Sequence, residues 1–123
     1  MSNTLVKEHT KLIHQMGLYE EYFAAIKTGR KKMEVRLNDE KRRRIKIGDS
    51  IKFIKVPEQD ESLQVQVMDL TTYETFQAMY EDIPFEAFDC AGWMMKEMLE
   101  GTYDIYTPEQ EEEWGVLAIT IKY

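Results

Sequence analysis

Three residues able to do polar chemistry lie within six positions of one another in the N-terminal third of the chain: Lys31, Glu34 and Arg36. They follow Gly29, and the residues after this glycine alternate between apolar and charged side chains, a pattern typical of a β-strand. Side chains two positions apart on a strand point to the same face, so Glu34 and Arg36 are predicted to lie about 6–7 Å apart. Lys31 has the opposite parity, and we place it at the junction of loop and strand, where its side chain can turn toward the other two.

These three side chains suit either ligand binding or hydrolysis. In a binding site, Arg36 would hold a phosphate or a base carbonyl, and Lys31 would add positive charge. Glu34 would accept a hydrogen bond from an exocyclic amine or hold Arg36 in place. In a metal-independent hydrolase, Lys31 would act as a general base, or Glu34 would activate water while the two cations stabilise the developing negative charge. A solvated surface pair of Glu34 and Arg36 is a third interpretation, and the spacing alone does not separate the three.

A helix and a strand are predicted to position these residues. Apolar side chains at helical spacing predict a helix over residues 19–28, and Gly29 supplies its C-terminal stop. A strand over residues 31–38 follows and ends at the turn signal Asn38-Asp39. Tyr19, at the start of the helix, is predicted to be open enough to stack on a base.

The rest of the chain is predicted to form a sheet with a helical layer. Residues 1–12 are predicted to form a loosely attached N-terminal helix, and an extended segment follows over residues 13–18. Further strands are expected over residues 50–56, 63–68 and 116–121, and short helices over 76–80, within 85–99 and after Thr107-Pro108. This order indicates the α+β class, with a small mixed sheet or barrel covered by helices on one side.

Length and composition indicate one globular domain over residues 1–123, of which 43% are apolar. No segment has the length and hydropathy of a membrane span, and the first residues lack the pattern of a secretory signal, so no membrane partner is expected. Cys90 is the only cysteine, which excludes an internal disulfide and a cysteine-based zinc site and favours a cytoplasmic location. No cofactor and no metal ion are predicted, and the oligomeric state is left open.

The charge is distributed unevenly along the chain. The net charge is −7, yet residues 27–46 contain ten of the sixteen basic residues and only three acidic ones. We call residues 41–46 the basic turn and predict that its cations follow a nucleic-acid backbone: Lys41, Arg42, Arg43, Arg44 and Lys46. A solubilising charged loop is the alternative interpretation. The acidic remainder of the chain argues against binding to long duplex DNA.

The residues around the charged group resemble the signature of the ASCH domain (activating-signal-cointegrator homology), a branch of the PUA-like superfamily. That signature reads Gly-x-Lys-x-x-Glu-x-Arg, and Gly29, Lys31, Glu34 and Arg36 match it at every position. The resemblance extends to flanking segments, which are residues 16–19, 47–49, 106–110 and 114–117. It covers most of residues 13–121.

This resemblance implies a PUA-like small mixed β-barrel with helices packed on one side over a cleft lined by the signature lysine, glutamate and arginine. It also implies binding of RNA or of a modified nucleoside. From the residue types we take Lys31, Glu34, Arg36 and Tyr19 as the ligand-binding residues, and single-stranded or looped RNA as the form that fits, because its bases can leave the stack. Some ASCH proteins act as hydrolases on N4-acetylcytidine or on single-stranded RNA. In a hydrolase of this kind, Lys31 and Glu34 would be the catalytic residues.

One departure from the family weakens the hydrolase alternative. The small amidohydrolases of the family carry a threonine where this chain has Glu34, so a hydroxyl nucleophile is missing at that position. Their other acidic residue lies in the helical segment, where Glu74, Glu81 and Glu86 are candidates in this chain. A protein-interaction domain, whose basic turn meets an acidic partner, is a further alternative.

Overall fold

Five strands and four helices are present in this computed structural model, which describes residues 10–123. In chain order they are β1 (Ile13–Tyr19), α1 (Glu20–Lys27), β2 (Met33–Leu37), β3 (Ser50–Val56), β4 (Ser62–Tyr73), α2 (Phe76–Asp82), α3 (Met95–Tyr103), α4 (Pro108–Trp114) and β5 (Val116–Lys122). Two short 3-10 turns, Arg42–Arg44 and Phe85–Phe88, complete the described elements. The α+β class predicted from the sequence is confirmed, whereas most of the predicted N-terminal helix lies outside the described residues and residues 10–12 are not helical.

The five strands form one curled mixed sheet in the order β1-β3-β4-β5-β2, a half-barrel whose edges are β1 and β2. β1 runs parallel to β3, and the other neighbouring pairs are antiparallel. The hairpin of β3 and β4 was predicted, but β4 extends to Tyr73, beyond the predicted end near residue 68, because its second half pairs with β5 after a bulge. The apolar strand β5 lies between β4 and β2, which agrees with its continuous run of buried residues.

Two apolar cores flank the sheet. The first fills the curl and consists of residues from all the long strands and from α1, among them Phe53, Leu117 and Ile119. The second lies between the sheet and the helical layer, and Val116 and Ala118 of β5 belong to it. Because side chains alternate along a strand, β5 contributes to both cores.

The pairing of β2 with β5 determines which way the charged residues point. Glu34 lies opposite Ile119 and Arg36 lies opposite Leu117. Directly opposed residues of an antiparallel pair share a face of the sheet, so Glu34 and Arg36 stand on the side of the first core. Their position on an edge strand sets them at the rim of that core, where the half-barrel opens.

The helical layer is fixed to the sheet through α4. Thr107 and Gln110 form the predicted capping box, with Gln110 N donating to Thr107 Oγ1 over 3.1 Å and Thr107 N donating to Gln110 Oε1 over 2.9 Å. Glu111 is buried and accepts from Phe76 N over 2.7 Å and from the Tyr103 hydroxyl over 2.8 Å, which joins α4 to α2 and α3. Gly115 then leads into β5 with φ of +73°, and a Cβ there would lie 3.1 Å from the Tyr73 carbonyl oxygen.

Among residues 10–123, no helix combines the length and hydropathy that crossing a bilayer would require.

Candidate functional site

The turn that precedes β2 places Lys31. The end of α1 is closed by hydrogen bonds from Gly29 N to Ile26 O over 3.0 Å and from Arg30 N to Ala25 O over 2.9 Å, the pattern of a Schellman motif. Gly29 has φ of +78°, a backbone conformation that glycine adopts without steric cost. This turn reverses the chain within a few residues, so Lys31 is set immediately before β2, as its sequence parity predicted.

Glu34 lies between Lys31 and Arg36 and binds both of them. Its Oε1 accepts from Lys31 Nζ, and its Oε2 accepts from Arg36 Nε over 2.9 Å and lies 2.7 Å from Arg36 Nη2. The Glu34 and Lys31 residues are only 4% and 8% exposed, so this is a buried ion-pair network and the interpretation as a solvated surface pair is wrong.

Burial and ion pairing act in opposite directions on the Glu34 carboxyl. Burial by itself raises its pKa, because the charged form loses water. The charges of Lys31 and Arg36 and their hydrogen bonds outweigh that effect, so the pKa of Glu34 lies below its ordinary value. The network therefore contains one carboxylate and two cations, with one positive charge in excess.

Arg36 connects the two edges of the half-barrel. While its Nε binds Glu34, its Nη2 donates to the Gly17 carbonyl oxygen on β1 over 3.1 Å. β1 and β2 are not neighbours in the sheet order, so Arg36 bridges the gap between the sheet edges. The network of Lys31, Glu34 and Arg36 thus forms the floor of the opening, and we call it the floor network.

A cleft of about 260 Å³ lies above the floor network. The edge strands and the turn before β2 contribute Gly17, Tyr19 and the three charged residues. The other walls come from α1, α2, α3 and the segments between and after them, and they are mainly apolar or aromatic: Tyr22, Tyr80, Phe88, Cys90, Trp93, Met98, Gly101, Thr102, Ile105 and Tyr106. The cleft therefore combines an ionic floor with walls suited to a flat apolar ligand.

The rim of the cleft carries exposed aromatic side chains. Tyr19 is 64% exposed and Trp93 is 48% exposed, and both line the opening. Tyr22 is 38% exposed, and Lys31 Nζ lies 6.0 Å from the centroid of its ring. Aromatic side chains at an opening of this kind can stack on planar groups that enter from solvent.

Most of the helical wall was not identified from the sequence. Tyr80, Phe88 and Met98 are buried and belong to the second core, and their spacing is typical of core residues. The same side chains also line the cleft, which local periodicity cannot indicate. Tyr106 lies in a segment that matched the family's pattern, and that match was the one available signal.

Neither the cysteine nor the helical-segment acids provide an evident nucleophile or base. Cys90 lines the cleft, but burial and the nearby Asp89 raise the pKa of its thiol, against a smaller opposite effect of Lys31. Of the described residues that line the cleft, Glu34 is the only acidic one, so none of Glu74, Glu81 and Glu86 reaches it. Nowhere in residues 10–123 do three or more His, Cys, Asp or Glu side chains come together in an arrangement that could hold a metal ion.

The basic turn folds against the C-terminal end of β2. Arg42 pairs with Asp39 over 3.2 Å, and Arg43 Nε donates to the Asn38 carbonyl oxygen over 2.7 Å. The Arg43 guanidinium also lies 5.6 Å from the Trp114 ring centroid. Lys41, Arg43, Arg44 and Lys46 are exposed, and none of the basic-turn cations lines the cleft itself. The turn is thus a neighbouring surface that begins five residues along the chain from Arg36.

Asp49 anchors the far end of the basic turn. It is fully buried and accepts from Lys46 N over 3.0 Å and from Leu12 N over 3.1 Å, and His14 Nε2 lies 2.8 Å from its Oδ2. One carboxylate therefore fixes both the end of the basic turn and the start of β1. The chain leaves this anchor directly into β3.

A second concavity is less suited to an anionic ligand. It is wider, about 740 Å³, and lies beside α4. Four glutamates line it, namely Glu74, Glu111, Glu112 and Glu113. Their charge would repel phosphate groups, so the smaller cleft above the floor network is the candidate site.

Comparisons with known proteins agree with this architecture. A family model described as the ASCH domain matches residues 16–123. The crystal structure of hypothetical protein PH0355 has a TM-score of 0.79 and 38% identity to this chain, and the match covers 89% of this chain and 97% of that one. A Pyrococcus furiosus protein solved by solution NMR gives a TM-score of 0.71 at 37% identity, covering 89% of this chain and 96% of that one.

A more distant likeness supports the fold alone. The crystal structure of the ASCH protein from Zymomonas mobilis has a TM-score of 0.61 at 15% identity, with 90% of this chain and 67% of that one covered. No curated protein matched the sequence.

Proposed function

This chain belongs to the ASCH domain family, and from that premise we propose that its cleft binds one base of a single-stranded or looped RNA, or a modified nucleoside. The observation that carries the proposal is the combination of a cationic floor with aromatic walls in one small cleft. A base has a flat apolar face for the walls and polar edge groups for the floor. A base that has left its stack can enter a cleft of this kind, whereas a base within a duplex cannot.

The floor network offers mainly hydrogen-bond donors to such a ligand. Both oxygens of Glu34 already bind a cation, while Lys31 has three donors and Arg36 has five. Remaining donors of Lys31 and Arg36 would bind the carbonyl groups of a base. The role left for Glu34 is to position the two cations, which is one of the roles predicted for it.

Stacking supplies the second part of the proposed recognition. Tyr19 and Trp93 at the rim would stack on the bound base or on its neighbour in a strand. Stacking of a base on an aromatic side chain contributes about 1–3 kcal/mol. The basic turn would follow the phosphates outside the cleft, mainly through Lys41, Arg44 and Lys46, which are exposed.

Charge reversal in the basic turn tests the backbone part of this proposal. We expect Arg44→Glu to weaken binding of a short fluorescent single-stranded RNA about tenfold at low salt, and to reduce the slope of log Kd against log salt by about 1. The measurement is fluorescence anisotropy at several salt concentrations.

Lys122→Glu is the matched control, because it changes the net charge equally on an exposed side chain of β5, outside the basic turn. Val116 pairs with Leu37, and Lys122 lies six residues further along β5, about 20 Å from that strand end. Equal effects of the two reversals would show that only overall charge matters and would remove the basic turn from the proposal.

The hydrolase alternative receives less support from the same contacts. A general base must be free to accept a proton, but Glu34 is bound on both oxygens and has a lowered pKa. Incubation with N4-acetylcytidine and with short RNAs, followed by a search for products, separates the two functions. If wild type turns over a substrate, and Lys31→Ala still binds that substrate but no longer turns it over, the protein is a hydrolase and the binding proposal is replaced.

A further inference from the structure

We propose that a phosphate subsite adjoins the cleft at its Arg36 end, formed by the Tyr106 hydroxyl together with Arg36 and Arg42. The ligand class would then be a nucleotide, as a monophosphate or within a strand, in preference to a free nucleoside. This inference rests on the proposed function, because it takes the cleft to hold a base. It adds a residue, Tyr106, that the sequence did not identify as part of a site.

The hydroxyl of Tyr106 has no protein partner within residues 10–123. Its ring is half-buried, lines the cleft and stacks on Phe76 with 5.5 Å between centroids, which fixes its plane. Three other tyrosines, one at the end of β4 and two in the helical layer, each use their hydroxyl. Tyr73 donates to Asp82 over 2.6 Å, Tyr103 donates to Glu111 over 2.8 Å, and Tyr80 is hydrogen-bonded to Thr102 over 2.8 Å.

An immobilised phenol with an unused hydroxyl is suited to a ligand. The hydroxyl is accessible to solvent, so a ligand can reach it, and the rigid ring means that little conformational entropy is lost on binding. The pKa of Tyr106 is raised by burial, so the hydroxyl stays protonated at neutral pH and donates a hydrogen bond. A phosphate oxygen is a strong acceptor for such a donor.

Two arginines contribute positive charge near this hydroxyl. Arg36 lines the same cleft, and Arg42 follows on the basic turn, which is held at the end of β2 by the Arg43 contact with Asn38. The positive charges of both Arg36 and Arg42 act on Tyr106 and oppose the rise in its pKa, which agrees with this placement. The Arg42 guanidinium already pairs with Asp39, and its Nε–H is enclosed by protein, so Arg42 would act on the phosphate mainly through its charge.

The local charge balance permits an anion. Glu34 and Asp39 also lie near Tyr106, but each is already bound to one of the two arginines. With Lys31 included, three cations face two carboxylates in this part of the molecule. A phosphate entering beside Tyr106 would therefore meet a net positive charge and a neutral donor.

The test compares nucleosides with their phosphates. Binding of the four nucleosides, their 3′ and 5′ monophosphates, inorganic phosphate and matching trinucleotides is measured by calorimetry on wild-type protein and on Tyr106→Phe. We expect wild type to bind at least one phosphorylated form about tenfold more tightly than the nucleoside. Tyr106→Phe should lose most of that difference, so that its ratio of nucleotide to nucleoside affinity falls toward one.

Tyr73→Phe is the matched control, since it removes a hydroxyl that binds Asp82 and lies outside the cleft lining. Equal binding of nucleosides and nucleotides, or a preference that survives Tyr106→Phe, overturns the phosphate subsite and leaves the proposed base site intact. Failure of nucleosides, nucleotides and trinucleotides alike to bind wild type overturns the proposed function and the subsite with it. A preference for trinucleotides over monophosphates identifies the phosphodiester of a strand as the source of the phosphate.

Discussion

Replacing Glu34 by alanine is expected to lower the free energy of unfolding by about 3–5 kcal/mol, because the change leaves the buried Lys31 and the partly buried Arg36 without their counter-charge. For a chain of this size the corresponding fall in Tm is roughly 10–20 °C. Arg36 would also lose the partner that orients it toward Gly17, so the two edges of the half-barrel would be less firmly joined. Urea unfolding and thermal scans of the variant against wild type measure both effects.

The same residue predicts a pH dependence of stability. The pKa of Glu34 in the folded state lies below the unfolded value of about 4.3. Its contribution is therefore fully present above that unfolded value and is lost as the pH falls through the lower folded pKa. We expect the free energy of unfolding of wild type to drop as the pH falls below about 4.3, and Glu34→Gln to show a smaller drop.

Two further variants make the Glu34 prediction specific. Glu61→Gln removes a carboxylate of similar type from the exposed pair with Lys27, and its effect should be much smaller. Replacing Lys31, Glu34 and Arg36 together by methionine should recover much of the stability lost in Glu34→Ala, because no uncompensated charge remains. If Glu34→Ala is as stable as wild type, the floor network does not hold the two cations as described.

Replacing Asp49 by alanine is the second change with a large expected effect, and it should lower the free energy of unfolding by about 3–5 kcal/mol. The substitution leaves the backbone N–H groups of Leu12 and Lys46 and the His14 ring without the carboxylate that binds them. These contacts are partly buried, so each polar group that loses its partner costs about 1–2 kcal/mol, in the lower part of the range for buried groups. Because Asp49 fixes the end of the basic turn, RNA binding should weaken as well. Urea unfolding measures the loss of stability, and fluorescence anisotropy with the short RNA measures the loss of binding.

Asp69→Ala is the matched control for Asp49→Ala. Asp69 is exposed and accepts one hydrogen bond, from the neighbouring Leu70 N over 2.9 Å. Its removal is expected to change stability by about 0.5 kcal/mol or less. An Asp49→Ala protein that unfolds at the same urea concentration as Asp69→Ala would show that the buried carboxylate is not an anchor.

Local patterns in the sequence were sufficient to predict the helix and the strand around the site. The stripe that includes Phe23 and Ile26 predicted α1, and the alternation after Gly29 predicted β2, although the strand begins two residues later than expected. The signature residues also identified the family, because a short motif in the right structural context is specific. Lys31 was placed before the strand from parity alone.

Long-range features were not predictable from those patterns. The parallel pairing of β1 with β3 leaves β1 and β2 as the two edges, and only that arrangement lets Arg36 reach the Gly17 carbonyl oxygen. Tyr80 and Met98 have the spacing of core residues, and nothing local distinguishes a core residue that also lines a cleft. The fold of the basic turn depends on Trp114, which lies about 70 positions away in sequence, so its contact with Arg43 was not foreseen.

The central claim is that the cleft holds a base, and a larger side chain that fills the cleft from its helical wall tests this claim most directly. Gly101 lies in α3 and lines the cleft, and a Cβ at this position would meet nothing within 4 Å. Gly101→Leu should therefore fold at least as well as wild type, since glycine is the weaker helix former by about 1 kcal/mol. Gly101→Ala, which adds one methyl group, is the matched control for that gain in helix stability.

The measurement is the affinity of short single-stranded RNA for wild type, Gly101→Ala and Gly101→Leu under identical salt conditions. If the cleft holds the base, Gly101→Leu binds at least tenfold more weakly than Gly101→Ala while unfolding at the same or a higher temperature. If the two variants bind RNA with equal affinity, the bases do not enter the cleft, and recognition at the floor network is contradicted.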